Sequence, residues 1–548
     1  MPVLLVRWRM LLLAGLLAGV AMLPGPAETA EPASPFELRL RSQIETSPGS
    51  GRYHTTLADE VWQPGGMAII VCDMWDSHHS EEAVKRVNEI APRLDALLRL
   101  ARERGVTIIH APSDCLDYYQ DHPARLRAMR TPKVADLPPE ITKWCYQIPA
   151  EEQGTYPIDQ SDGGEDDEPE AHQRWLAKLA AEGLNPRAPW TRQIDVIEID
   201  PEQDYITALG DEVWSILAER GIDNVLVAGV HTNMCVLGRP FGLRRLASNG
   251  KHVALIRDLT DTMYNPKSAP FVSHFTGTDL IVSHIERHVC ATVTSDQLLG
   301  DERPFRFSAD RRPHLAMVIA EAEYDTAETL PKFAIEHLGH DYRVSYVYAN
   351  DADRNDLPGL EVLDDADIAL ISARRRVLPA EQLAHVRKFV AAGKPLIGIR
   401  TSSHAFCLRN EPPPAGLTDW PELDAQVWGG SYTNHYANDA GSTVTTAATG
   451  VAHEILKGLP GSFPQHGSLY KTAPLADGAM LLLEGRLNNG SAIPEPVAWT
   501  FRRADGGVSF YTSLGHKGDF AAEEFPRLLK QAIDWAVKVE SQGTAAVE

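Results

Sequence analysis

The pattern that most limits the fold of this chain is an alternation, run twice, of short β-branched stretches with longer amphipathic ones. In the first run, Met67 to Cys72 reads as a buried strand, Glu82 to Gly105 as a helix and Val106 to His110 as a strand. Then come strand Val196 to Ile199, helix Ile206 to Gly221, strand Val225 to Ala228, helix Cys235 to Gly250 and strand Val253 to Ile256. The second run begins with Leu315 to Ile319 and continues with strand Ile368 to Ile371, a helix near Pro379 to Ala392 and strand Pro395 to Ile399. It closes with strand Val508 to Tyr511 and a helix from Phe525 to Val539. Such alternation covers both faces of a sheet with helices, which predicts parallel strands. The expected class is α/β, with two doubly wound parallel-sheet domains, because 548 residues exceed what one core can serve.

The first domain is expected over residues 60–300, a polar, proline-containing linker over 301–312 and the second domain over 313–540. Residues 151–170 carry nine acidic side chains and no Lys or Arg, and read as a solvated insertion. Residues 1–30 join Arg7 and Arg9 to an apolar run, Met10 to Leu23, and a small-residue exit, which reads as an export signal. The expected location is therefore periplasmic or extracellular, with no membrane association after cleavage. A formal net charge of −23 argues against nucleic acid or an anionic membrane as partner and favours a small-molecule substrate. The six cysteines show no framework spacing and no CxxC pair, which excludes a zinc ribbon.

In parallel sheets, ligands sit beyond the carboxyl ends of the strands. That rule selects Asp73, Asp114 and Cys235. A cysteine in the first turn of a helix meets unpaired N–H groups that favour thiolate and can receive an oxyanion. Asp73 is then the proton carrier beside the sulfur. Cys72-Asp73-Met74-Trp75 and Gly229-Val-His-Thr-Asn-Met-Cys235 resemble the isochorismatase-like cysteine hydrolases, a superfamily that includes nicotinamidases and ureidoacrylate and carbamoylsarcosine amidases. The resemblance spans about 60–300 and implies a three-layer fold and an Asp–Lys–Cys triad. It also implies a cis bond at Val230–His231 and an oxyanion and substrate pocket around Val230, His231, Thr232, Trp75 and Asp114. The family lysine does not match: counting back from Thr207 places Glu198 there, with Lys133, Lys143 or Arg192 as substitutes from loops. No cofactor is expected; a divalent metal near Asp76, His78 and His110 is the alternative that the nicotinamidase branch suggests. His274 and His284, near Asp279, read as surface histidines.

In the second run, Gly398-Ile-Arg-Thr-Ser-Ser-His404, Trp428-Gly-Gly-Ser-Tyr-Thr-Asn-His435, Pro496 to Trp499 and Tyr511 to His516 resemble the trehalose-utilisation (ThuA-like) family. The resemblance spans about 313–540 and implies a class I glutamine amidotransferase-like, flavodoxin-like fold tied to sugar metabolism. Arg400 stands where an amidotransferase keeps its cysteine. Arg400, Ser402, His404, His435 and His516 are the candidate ligand residues, suited to a hydroxylated or anionic molecule; Ser402 and Ser403 read equally well as helix caps. Trp428 and Trp499 read as core.

The leading expectation is an exported hydrolase of a C–N amide-type bond, with Cys235 as nucleophile, Asp73 as general acid/base and a homo-oligomeric assembly. The alternative is a non-catalytic carbohydrate-recognition protein on two degenerate scaffolds, for which Glu198 is the main argument. Isochorismate hydrolysis is a third reading.

Overall fold

A computed structural model describes residues 34–301, 303–490 and 493–545 of the chain. The export signal lies outside them. Among the described residues no helix is long and apolar enough to cross a membrane.

Eight strands form the first sheet: β1 (Phe36–Glu45), β2 (Tyr53–Trp62), β3 (Met67–Cys72), β4 (Thr107–Ala111), β5 (Tyr205–Ile206), β6 (Asn224–Val230), β7 (His252–Asp261) and β8 (Ala291–Val293). Their order is β2-β1-β8-β7-β6-β3-β4-β5. From β8 to β5 all neighbours run parallel, and the hairpin β1–β2 is antiparallel to β8. The sheet is therefore mixed, and it starts well before residue 60. The hairpin alternates buried Phe36, Leu38 and Leu40 with exposed charges, the signature of a one-sided edge.

β3 buries every residue between two helical layers. One face packs Val87, Ile90, Leu94 and Leu98 of helix Glu81–Glu103; the other packs helices Gly210–Glu219, Leu243–Ser248 and His274–His288. The chain runs from β3 outward to β5, then returns to place β6 on the other side of β3. That reversal opens a crevice between the carboxyl ends of β3 and β6. Gly229 pairs with Cys72 at φ 111°, where a Cβ would lie 2.0 Å from the Cys72 carbonyl oxygen, so only glycine fits.

Two expectations fail locally. Residues 196–199 are irregular rather than a strand, and the sheet edge is instead the two-residue β5. The helix expected from Cys235 to Gly250 is cut at Arg239-Pro240 and resumes only at Leu243, because proline cannot continue a helix and its predecessor avoids helical backbone.

The acidic insertion is solvated along much of its length, with Glu152, Asp159, Asp162, Glu168 and Glu170 exposed, and it is pinned at a few points. Asp167 accepts from the N–H groups of Glu81 and Glu82 at 3.0 and 2.9 Å, capping the long helix. Asp166 pairs with Arg86 at 2.8 Å, and Glu151 is buried against Arg244 and His284. Likewise His274 is buried, bonding Asp261 at 2.8 Å, so neither His274 nor His284 is a surface histidine. Asp279 pairs with Arg312 of the linker at 3.0 Å.

The second sheet contains β9 (His314–Ala320), β10 (Arg343–Tyr348), β11 (Ile368–Ala373), β12 (Leu396–Ile399), β14 (Ser442–Thr446), β15 (Ser462–Gln465), β17 (Ala479–Leu487), β18 (Glu495–Arg502) and β19 (Val508–Thr512). β13 (Asn434–His435) and β16 (Tyr470–Lys471) form a separate ribbon. The order β10-β9-β11-β12-β19-β18-β17-β14-β15 is parallel as far as β19 and antiparallel beyond it. This domain is thus α/β with a mixed sheet as well. Trp428 and Trp499 are fully buried core residues. The linker follows the first domain closely: the Phe305 N–H donates to Asp258 and that of Ser308 to Glu89, both at 2.8 Å.

Candidate active site

Asp73 leaves β3 in left-handed backbone, φ 46°, and turns its carboxylate into the crevice. Ser113 N–H donates to its Oδ1 at 2.7 Å, fixing one oxygen. Across the crevice, β6 ends in the cis Val230–His231 bond, as the resemblance implies. Residues Thr232–Val236 then form one wide turn, closed by Val236 N–H on the His231 carbonyl at 3.2 Å. Cys235 lies in that turn, 8% exposed, with Asp73 and Arg239 as the charged groups nearest in effect on its thiol.

The side chain that meets Asp73 is Arg239, not Glu198. Its Nε reaches Asp73 Oδ2 at 3.3 Å and its Nη2 reaches Asp114 Oδ2 at 3.2 Å. It is four residues beyond Cys235, so one turn of helix puts both side chains on the same face. Pro240 ends that turn directly after it. Trp144 backs the guanidinium, 5.4 Å from ring centre to Cζ, packed against Gly238 where any Cβ would collide with it. The sequence holds the signal, a cation at i+4 from the thiol followed by proline, whereas the family pattern points to Glu198 in an irregular segment.

Glu198 is exposed and pairs with Arg99 of the long helix at 2.9 Å. Lys133 and Lys143 are exposed and paired with Asp211 and Glu140, and Arg192 is held by Asp195 and Asp76. None of them reaches Asp73.

Electrostatics decide which form each group takes. Burial pushes the Asp73 carboxyl above the usual range, and Arg239 only partly restores it. Burial and then the neighbouring Asp73 push the Cys235 thiol well up. The resting sulfur is therefore held toward the thiol, not the preformed thiolate expected from its place in a helical turn. The wide turn is too short, and Asp73 too close, for helix-end N–H groups to prevail.

The remaining expected residues divide. Trp75 lines the crevice, its Nε1 donating to the Ser113 carbonyl at 3.0 Å and its ring stacked on Trp190 at 4.5 Å. Trp190 was not anticipated. His231 is buried edge-on to His78 at 4.9 Å, and burial lowers it to about 4, so the ring is neutral. Thr232 is instead structural, fully buried and bonded to Thr260 and the Asp261 carbonyl at 2.7 and 2.9 Å. Val230 is buried too, its carbonyl receiving the Cys72 thiol at 3.6 Å.

The residues of the metal alternative each have other partners. Asp76 is bonded to Thr191, His78 accepts from Ser80 N–H, and His110 sits between Gln193 and Asp204. Among the described residues no group of three or more His, Cys, Asp or Glu is arranged to hold a metal.

In the second domain Arg400 is 2% exposed with φ 47°, its Nη1 donating to the Ser513 carbonyl at 2.8 Å. His404 stacks on Tyr432 at 4.6 Å, and Ser403, rather than capping a helix, bonds the His404 ring at 3.0 Å. His516 accepts from Gly518 N–H at 3.0 Å and lies 6.0 Å from Tyr324. His435 is exposed on the β13–β16 ribbon, outside the buried group. Ser402 Oγ is buried without a protein partner.

Residues 316–536 match the family model ThuA, trehalose utilisation. The second half of the chain carries a ThuA domain. No curated protein sequence matches the chain. Among solved structures, a ThuA-like protein from Bacteroides uniformis ATCC 8492 is similar at 16% identity, covering 42% of this chain and 93% of that one, with TM-score 0.33. A cysteine hydrolase from Pseudomonas syringae pv. phaseolicola 1448A is similar at 16% identity, covering 43% and 92%, with TM-score 0.26. An isochorismatase family protein from Burkholderia thailandensis is similar at 13% identity, covering 43% and 95%, with TM-score 0.24.

Proposed function

We propose that the first domain is a cysteine hydrolase of the isochorismatase-like kind that cleaves a C–N amide-type bond in a small, planar, uncharged substrate. The observation that carries this is the contact of one thiol, one carboxylate and one guanidinium at the crevice between β3 and β6. Asp73 takes the Cys235 proton as the sulfur attacks the carbonyl carbon, and main-chain N–H groups beside Cys235 receive the oxyanion. Collapse breaks the C–N bond, and Asp73 returns the proton to the leaving nitrogen. Water then attacks the thioester, giving a proton to Asp73 that ends on the sulfur, and the carboxylic acid leaves. Arg239 favours the ionised form of Asp73 against burial, the part a lysine plays in the resembling family. The stacked Trp75, Trp190 and neutral His78 wall suits a flat substrate without charge. The ThuA domain, in this reading, binds a sugar-like molecule.

The test is ammonia or amine release from a panel of small amides and N-carbamoyl compounds by the full chain. Cys235→Ala should lower turnover by at least about 10³-fold, and wild type quenched at steady state should carry the acyl group on Cys235 by mass spectrometry. Turnover that survives Cys235→Ala, or none with any compound, refutes the proposal.

A further inference from the structure

Of the buried arginines, Arg86, Arg125, Arg244, Arg312 and Arg503 pair with carboxylates and Arg376 and Arg400 do not, and these two lie among other arginines without a carboxylate partner. Four such arginines gather in the second domain, at the turns after β11 and β12: Arg375, Arg376, Arg400 and Arg409 form no ion pair among the described residues. β9 has β10 on one side and β11 on the other, so this is where the strand order reverses.

Arg400 is the deepest. Its guanidinium lies between the Tyr324 and Tyr470 rings, 4.0 and 4.8 Å from their centres, with Nη2 on Ser468 Oγ at 3.1 Å and Nε without a protein partner. A Cβ at Gly467 would lie 2.6 Å from Nη1, so the cation is seated against bare backbone. Arg409 lies over Tyr432, 5.0 Å away, and Tyr432 contacts Tyr470 at 4.7 Å. The Arg375 N–H donates to the His404 carbonyl at 3.0 Å, while its Nε is buried and unpartnered. Burial, then Arg375, Arg374, Arg409 and Arg400, hold His404 down to about 3, a ring that stays neutral and can bond a hydroxyl.

Of the nearby carboxyl groups, Asp424 accepts from the Tyr432 N–H at 2.6 Å, keeps its other oxygen unpartnered and is pushed up to about 6 by burial, while three others are engaged elsewhere. Glu321 accepts from three N–H groups and from Thr326, Glu323 holds Arg374 at 2.8 Å, and Asp519 accepts from the N–H groups of Gly515, His516 and His466. Buried cations without counter-charge are costly, and guanidinium groups match oxyanions geometrically.

We infer that this cluster is a receiving site for an oxyanion, a carboxylate or phosphate carried by a small hydroxylated molecule, with Arg400 at its base, Arg375 and Arg409 at its rim, and Tyr324, Tyr432 and His404 meeting the hydroxyls. The inference rests on the reading that the ThuA domain binds a sugar-like molecule, adds its charge and the residues that select it, and is independent of Cys235.

Calorimetric titration of the full chain at constant ionic strength with gluconate, glucose 6-phosphate and glucose tests it. At least one anion should bind about tenfold or more tighter than glucose. That preference should fall about tenfold in Arg409→Gln, at an exposed residue, and in Arg375→Gln, each compared where its melting curve is unchanged. Cys235→Ala should bind as wild type does. Carboxylate and phosphate sources are separated by which anion binds. Glucose binding as tightly as both anions overturns this inference and spares the sugar reading. No binding by any of the three overturns both.

Discussion

Asp73 and Arg400 occupy matching places in their domains, each leaving a parallel strand in left-handed backbone, φ 46° and 47°. For residues other than glycine that conformation costs about 1–3 kcal/mol, so both domains use the same device to turn a charged side chain over the sheet end. They differ in what answers the charge. Asp73 meets Arg239 and the Cys235 thiol, a set complete within the protein. Arg400 meets only aromatic faces and neutral acceptors. A closed charge set suits proton shuttling on a neutral substrate, and an open one suits capture of an anion.

The sharpest way to break the comparison is to unbalance the closed set. Asp73→Asn removes the proton acceptor and should lower kcat/KM by about 10²–10⁴-fold, whereas anion binding by the second domain should not change. Arg239→Gln should cost about 10–100-fold near neutral pH, with Arg239→Lys recovering most of it. A second reading separates a charge role from a structural one. Because Arg239 pulls Asp73 down against burial, its loss should move the acid limb of kcat/KM to higher pH. In wild type that limb should already lie above the ordinary carboxylate value of about 3.9, since activity falls as Asp73 is protonated. A pH profile unmoved in Arg239→Gln would break the assignment.

Smaller effects belong to stability. Burial pushes Glu151 up, but His284 and Arg244 hold it down to about 2. Its contribution is therefore present above the unfolded value of about 4.3 and is lost as pH falls from there toward 2. Glu151→Gln should lower unfolding free energy at pH 7 by about 3 kcal/mol and flatten the acid side of the stability profile, as measured by denaturant titration. Smallest of all, Glu198→Gln, on an exposed pair with Arg99, should leave kcat/KM within about twofold.

Much of the framework was legible because buried parallel strands are continuous apolar runs. Met67–Cys72 is a strand at the very residues expected, and His314–Ala320 and Leu396–Ile399 lie within a residue of theirs. The β1–β2 hairpin and the antiparallel half of the second sheet show weaker one-sided alternation and were passed over. In the site, Asp73 and Cys235 were readable from strand-end placement, and Arg239 could have been read from helical spacing. Glu198 was misplaced because counting along a chain assumes a strand, and residues 196–199 do not form one.

Local pattern alone determined the α/β class, the two-domain order and the strand ends that matter, since hydrophobic periodicity is set by neighbours a few residues apart. Only the tertiary structure decided which cation meets Asp73, that the Cys235 sulfur is held toward the thiol, and that Arg400 forms no ion pair among the described residues. Those outcomes depend on burial and on distances between side chains remote in sequence, and electrostatic energy follows both.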